Sequence, residues 1–278
     1  MRLVDDEAHG GLRPAHGLSV MVKCFYGEEQ AYILFDTGPG RVVVENAEAM
    51  GLDLGRVSVV ALSHGHYDHT GGLIHVLRRI ARPTPIVIDP RAFEVKLAYR
   101  PALTYIGLPF TRRQVEDAGG RLIESTSPMA LANGVMVTGR IPRRLDQPSA
   151  KGLYRVEGGE LVEDEVVDDR ALIVSTGDEV VVITGCAHSG ALNVVDEALR
   201  LTGANSIALL VGGLHLFNEP MDRVERVARG LRRLNVEGVA PCHCTGSRGI
   251  EALTREYGGR CTPLKAGSKL TLPLRGRG

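Results

Sequence analysis

The sequence has no run of the ~18 consecutive apolar residues that a membrane helix needs, although 44% of its 278 residues are hydrophobic. No membrane partner is expected, and the apolar content is enough for a sizeable core in one large domain or two small ones. The start, Met1-Arg2-Leu3-Val4-Asp5-Asp6-Glu7, lacks the apolar stretch of a secretory signal. Net charge is also missing, with 33 basic residues against 33 acidic ones. That balance provides no long-range field for nucleic acid or an anionic membrane, so nucleic acid is not the expected partner. An even set of cysteines is lacking too: Cys24, Cys186, Cys242, Cys244 and Cys261 are an odd number in a long chain. This argues against a disulfide framework and for a reducing, cytoplasmic setting. Repeats, low-complexity tracts and coiled-coil heptads are absent, and Gly212-Gly213 lacks the spacing of a dinucleotide fingerprint.

The chain does hold a dense run of metal-ligand types: Ser63-His64-Gly65-His66-Tyr67-Asp68-His69-Thr70-Gly71-Gly72. Residues 57–62, apolar and β-branched, read as a buried strand before it, and residues 71–77 read as the start of a helix. The ligand types thus fall on a strand-to-helix loop. His64 and His66 are two apart and face one side of an extended segment. Two neutral imidazoles so placed reach one Zn-like ion. Asp68 and His69 follow after the chain has begun to turn and point to a second position.

Taken in order, residues 1–14 read as mobile. Residues 18–24 and 31–35 read as strands joined at 27–29, ending in Asp36-Thr37-Gly38. His16 precedes the first of these and is either a surface residue or one that overhangs a site. Residues 41–50 read as a helix and 85–90 as a strand. Between about 91 and 168 prolines break the pattern repeatedly, which reads as an inserted cap holding a helix over 111–118 and strands at 121–123 and 135–137. Arg140, Arg143 and Arg144 cluster there, as a solvated basic loop or an anion-binding group. Residues 171–175 and 180–184 read as a second hairpin across 176–179. Strands at 207–211 and 236–240, helices at 192–201, 222–234 and 248–257, and a last strand at 270–272 complete the chain. Three of these strands end in loops that carry one histidine each: His188, His215 and His243. Open α/β sheets hold their ligands at the carboxyl ends of strands. Cys186, Cys242 and Cys244 lie near these ligands, but a Cys-His-Cys spacing is too tight for a usual structural zinc site, and buried packing is the expected role.

The H-x-H-x-D-H run, the preceding D-T-G and the later strand-end histidines resemble the metallo-β-lactamase superfamily over nearly the whole chain. The resemblance implies an α/β fold, a four-layer αββα sandwich, here with an α/β cap at 91–168. It implies one metal held by His64, His66 and His188 and a second by Asp68, His69 and His243, with Asp36 supporting the loop. Without the resemblance, Asp36 reads as a turn residue that caps the next helix. The loops G-C-A-H-S-G, G-G-L-H-L and P-C-H-C-T-G resemble a branch named for 7,8-dihydropterin-6-methyl-4-(β-D-ribofuranosyl)aminobenzene-5′-phosphate synthase. The superfamily has a bridging Asp after the strand matched by 207–211, whereas this chain has Gly212-Gly213-Leu214-His215.

The implied chemistry uses one or two divalent metals, zinc first, with manganese or iron as alternatives. A metal pair clamps phosphate oxygens or activates water. Either diphosphate displacement or hydrolysis of a small, phosphorylated, pterin-like molecule follows. Ser189, Thr245, Gly246 and Ser247 stand at helix starts, which attract anions, and with Arg140 they are the expected substrate contacts. Asp68 and His215 are the expected catalytic residues, His215 as proton donor or substrate contact. A nucleic-acid phosphodiesterase of the same fold and a non-catalytic or redox binding protein are the alternatives.

Overall fold

Val59–Ala61 is a three-residue strand with every side chain buried, as a parallel strand covered on both faces should be. It lies in the first of two compact units into which the chain folds: Met1–Thr126, Ser149–Asp168 and Lys265–Lys269 form one, and Ser127–Pro148, Asp169–Leu264 and Leu270–Gly278 the other. The computed structural model describes residues 1–271 apart from Gly27, Arg100, Gly177 and Asp178.

The first unit begins with β1 (Arg2–Val4), β2 (Ser19–Tyr26), β3 (Glu29–Phe35), α1 (Val42–Ala49) and β4 (Val59–Ala61). There follow α2 (Tyr67–Thr70), α3 (Leu73–Ile80), β5 (Thr84–Ile88), β6 (Lys96–Tyr99), β7 (Leu103–Tyr105), α4 (Arg112–Asp117) and β8 (Gly120–Glu124). After β9 (Met129–Ala132) and β10 (Val135–Val137), which belong to the second unit, the chain returns with β11 (Leu153–Glu157) and β12 (Glu160–Glu163). One six-stranded sheet has the order β1-β2-β3-β4-β5-β8 and is parallel from β3 onward. Leu73, Val76, Leu77 and Ile80 of α3 repeat at helical spacing and are buried. They pack with Val43 and Ala47 of α1 and with Leu34, Val60 and Ile86 of the sheet, each large side chain contributing roughly 1.5–3 kcal/mol. Ala81 ends α3 in the left-handed region, with φ 55°. Thr111 and Gln114 form a capping box at the start of α4.

The second unit has β9 and β10, then β13 (Ala171–Thr176), β14 (Glu179–Thr184), α5 (Ala191–Thr202), β15 (Ile207–Gly212), α6 (Met221–Arg233), β16 (Val236–Pro241) and α7 (Gly246–Tyr257). Its sheet has the order β16-β15-β14-β13-β10-β9, with β14, β15 and β16 parallel. Val194, Val195, Val224, Val227, Leu231 and Leu253 of the three helices pack with Val180, Val182, Leu210 and Val239 of the sheet.

Several expectations change. The start of the chain is structured: β1 pairs with β2, and Leu3 and Val4 are fully buried, because two apolar side chains find the α1 face. Segment 91–168 is shared among three sheets. β8 extends the first sheet, β9 and β10 extend the second, and a third has the order β12-β11-β6-β7. The strands of this third sheet are three to five residues long and interleave Leu, Val and Tyr with charged residues, so no long hydrophobic run announced them. Leu270 and Thr271 are not in a strand, and Leu272 lies outside the described residues, as do Gly27, Gly177 and Asp178 of the two hairpin turns.

Candidate metal centre

In the first unit, β4 delivers the chain to His64 and α2 begins just after His66. Asp68 and His69 therefore sit on a helical turn rather than in open loop. His64, His66, Asp68 and His69 are 1%, 6%, 9% and 0% exposed. His64 Nε2 lies 2.9 Å from His66 Nδ1, close to the roughly 3.3 Å edge of a tetrahedral site with Zn–N bonds of ~2.0–2.1 Å. The rings of His64 and His69 have centroids 4.3 Å apart, and His69 Nε2 is 3.5 Å from Asp68 Oδ2. Burial lowers the His66 pKa to about 4, which keeps that imidazole neutral, the form a metal requires. His64 and His66 thus present two ring nitrogens, and Asp68 and His69 an oxygen and a nitrogen, at spacings that suit ligands of a divalent cation.

The groups behind these side chains are equally specific. Asp36, fully buried at φ 58°, accepts from Ser63 N and Ser63 Oγ, each at 2.7 Å. Its Oδ2 is also 2.7 Å from His69 Nδ1. Ser63 Oγ lies 2.9 Å from His64 Nδ1. A carboxylate or hydroxyl on Nδ1 sets the tautomer and leaves Nε2 for a metal. Asp36 thus bonds to Ser63 and His69, at the two ends of the loop. Thr37 N and Oγ1 donate to His69 O, and Leu18 N donates to Asp68 O. Gly65 is required between the two histidines because a Cβ there would fall 2.6 Å from Ala92 Cα. His16 sits with Nδ1 3.0 Å from Asp6 Oδ2 and Nε2 3.6 Å from Asp68 Oδ2, so it overhangs this cluster while staying exposed.

A buried ion triad holds the same loop, and no local sequence pattern announces it. Gly65 N donates to Asp168 Oδ2 at 2.8 Å. Lys96 Nζ bridges Asp168 Oδ1 and Asp164 Oδ2, both at 2.9 Å. All three side chains are at most 3% exposed. Burial works against the Asp168 charge, but Lys96 overcomes it and holds the carboxyl below the usual carboxylate range. No spacing rule links a lysine on β6 to two aspartates some seventy residues on.

In the second unit the three histidine loops leave the carboxyl ends of β14, β15 and β16. Ala187, His215 and His243 adopt φ of 55°, 49° and 47°, a region that costs non-glycine residues energy and clusters at functional sites. The His188 and His215 rings stand 4.3 Å apart. His243 shares a cluster with Cys186 and Cys244, their donor atoms all within 4.8 Å of one another. Cys242 is buried beside them in sequence but outside that cluster.

The expected substrate contacts have mixed fates. Ser189 N donates to Asp169 Oδ2, and Thr245 Oγ1 accepts from Leu214 N. Both residues are buried and support the loops. Gly246 takes φ 67° at the start of α7, and Ser247 is exposed. Arg140 is half-buried after β10. Arg143 is the arginine whose Nη2 reaches His188 O, at 3.5 Å, while Arg144 is paired with Asp196 and Glu197.

An α/β scaffold with imidazole, carboxylate and thiol donors at its strand ends defines a class of metal-dependent enzymes. The chain belongs to the metallo-β-lactamase superfamily, whose family model matches residues 13–209. It is 28% identical over 249 residues to the 7,8-dihydropterin-6-methyl-4-(β-D-ribofuranosyl)-aminobenzene-5′-phosphate synthase of Methanocaldococcus jannaschii, covering 87% of this chain and 85% of that one. An uncharacterized protein of the same organism is 27% identical over 91% of this chain and 93% of its own. A solved metal-dependent hydrolase of the β-lactamase superfamily is similar at 29% identity and a TM-score of 0.81, over 98% of this chain and 97% of that chain. The chain therefore has the metallo-β-lactamase fold.

Proposed function

We propose that this protein acts on a small phosphorylated, pterin-like substrate at a centre of one or two divalent metals, by diphosphate displacement or by hydrolysis. The observation that carries the metal reading is the buried run of His64, His66, Asp68 and His69, in which Ser63 and Asp36 hold the Nδ1 atoms of His64 and His69. The substrate class rests on the likeness to the M. jannaschii synthase. Following the family's pattern, His64, His66 and His188 hold one metal and Asp68, His69 and His243 the other. Zinc is the first candidate metal, with manganese or iron as alternatives.

When bound, such a metal neutralises phosphate oxygens and acidifies water. The chain's own residues do the rest. Asp68 serves a metal and, through His16, faces solvent. His215 donates a proton to the leaving oxygen or contacts the substrate; its ring packs against His188 and Phe217. Arg140, Gly246 and Ser247 contact the anion, with Ser189 and Thr245 holding the loops that present it. The third sheet, whose Tyr99, Leu103 and Tyr105 are exposed, serves as the cap. The compartment in this reading is a reducing cytoplasm, where the five cysteines persist as thiols.

The test is elemental analysis of the purified protein, followed by assay of a dihydropterin methyl diphosphate with an aminobenzene ribosyl phosphate. Diphosphate release that depends on the amine supports displacement, and release without it supports hydrolysis. No bound transition metal after reconstitution would overturn the metal reading; metal without either activity would overturn the substrate class.

A further inference from the structure

Where the family's pattern has a bridging carboxylate, after β15, this chain has Gly212-Gly213. The space is not empty. A Cβ on Gly213 would lie 2.4 Å from Gly185 O and 2.6 Å from Cys244 Sγ, so a backbone carbonyl and the sulfur together take the space a side chain would need. Cys186 and Cys244 are 3% and 7% exposed, and with His243 they put two Sγ atoms and a ring nitrogen within 4.8 Å of one another. A tetrahedral zinc site separates such donors by roughly 3.5–3.8 Å, from Zn–S bonds of ~2.3 Å and Zn–N bonds of ~2.0–2.1 Å. Small side-chain rotations close that gap. Cys244 Sγ accepts from His215 N at 3.3 Å and donates to Cys186 O at 3.7 Å.

We propose that Cys244, with Cys186 beside it, gives a thiolate to the metal held by His243, in place of the bridging carboxylate. This role rests on the metal reading under Proposed function. Each thiol that binds releases its proton to solvent, and the sulfur's negative charge takes over from the absent carboxylate. A thiolate also selects the metal: soft donors favour zinc, cobalt or iron over manganese and magnesium.

Reconstitution of the full chain with Co²⁺, read by absorption and elemental analysis, tests the proposal. Bound cobalt should show a sulfur-to-cobalt charge-transfer band in the near ultraviolet. Cys244→Ser should reduce that band several-fold with cobalt still bound, and Cys242→Ser should leave it unchanged. Cobalt bound by the wild type without the band would overturn the thiolate and leave the histidine–carboxylate centre standing. No cobalt bound would overturn both.

Discussion

Asp36 Oδ2 and His69 Nδ1 are 2.7 Å apart, both fully buried, and the same carboxylate holds the backbone and hydroxyl of Ser63. One side chain thus fixes the start of the histidine loop and the tautomer of its last ligand. Asp36→Ala should lower metal affinity about 10–100-fold, read by chelator competition. An unchanged affinity would show that packing alone orients His69.

His215→Ala separates the roles open to that residue. A proton donor leaves metal content unchanged while turnover falls ~10²–10⁴-fold. Metal stoichiometry measured beside turnover decides. Loss of metal would make His215 a ligand, and unchanged turnover would make it a loop residue only.

Lys96→Met tests the triad behind Gly65. Removing one partner leaves two buried carboxylates without their cation, so the variant should lose about 3–5 kcal/mol of stability, read by denaturant titration. Its metal affinity should fall as well, since Gly65 N is anchored through Asp168.

The triad also sets a pH window. Asp168 is held below the usual carboxylate range, and Lys96 is held above the usual ammonium range: burial opposes its charge, but Asp168 and Asp164 outweigh it. In the unfolded chain Asp takes up its proton near ~3.9, ahead of the folded form. The stability from Asp168 is therefore full above that pH and lost as pH falls through its lowered folded value. Unfolded Lys loses its proton near ~10.4, so the stability from Lys96 is full below that pH and lost as pH rises through its raised folded value. Thermal melts from acid to alkali should show this plateau, with the alkaline fall-off reduced in Lys96→Met.

Gly65→Ala puts a Cβ 2.6 Å from Ala92 Cα. Backbone must move to admit it, at about 1–3 kcal/mol, and the His64–His66 spacing moves with it. Lower melting temperature together with weaker metal binding is expected; a melting change alone would show that the loop absorbs the shift elsewhere.

The candidate ligands could be named from the sequence because ligand chemistry restricts residue type and strands restrict where those types can sit. H-x-H-x-D-H after a buried strand, and a histidine after each of β14, β15 and β16, needed no contact information. The paired α/β sheets were legible for the same reason, through apolar runs such as Val180–Val182 and helical repeats such as Leu73, Val76, Leu77 and Ile80. The third sheet was not, since its strands are short and its β11–β6 pairing joins residues more than fifty positions apart.

The sequence by itself determined the ligand types, their strand-end positions and the family. Tertiary structure decided which other groups stand behind them. Lys96 meeting Asp164 and Asp168, Asp36 meeting His69, and Cys244 filling the space above Gly213 are contacts between residues 31 to 72 positions apart. Such contacts follow no local period: they exist because burial makes an unpaired charge or polar group costly, and the folded chain must supply a partner from wherever it passes nearby.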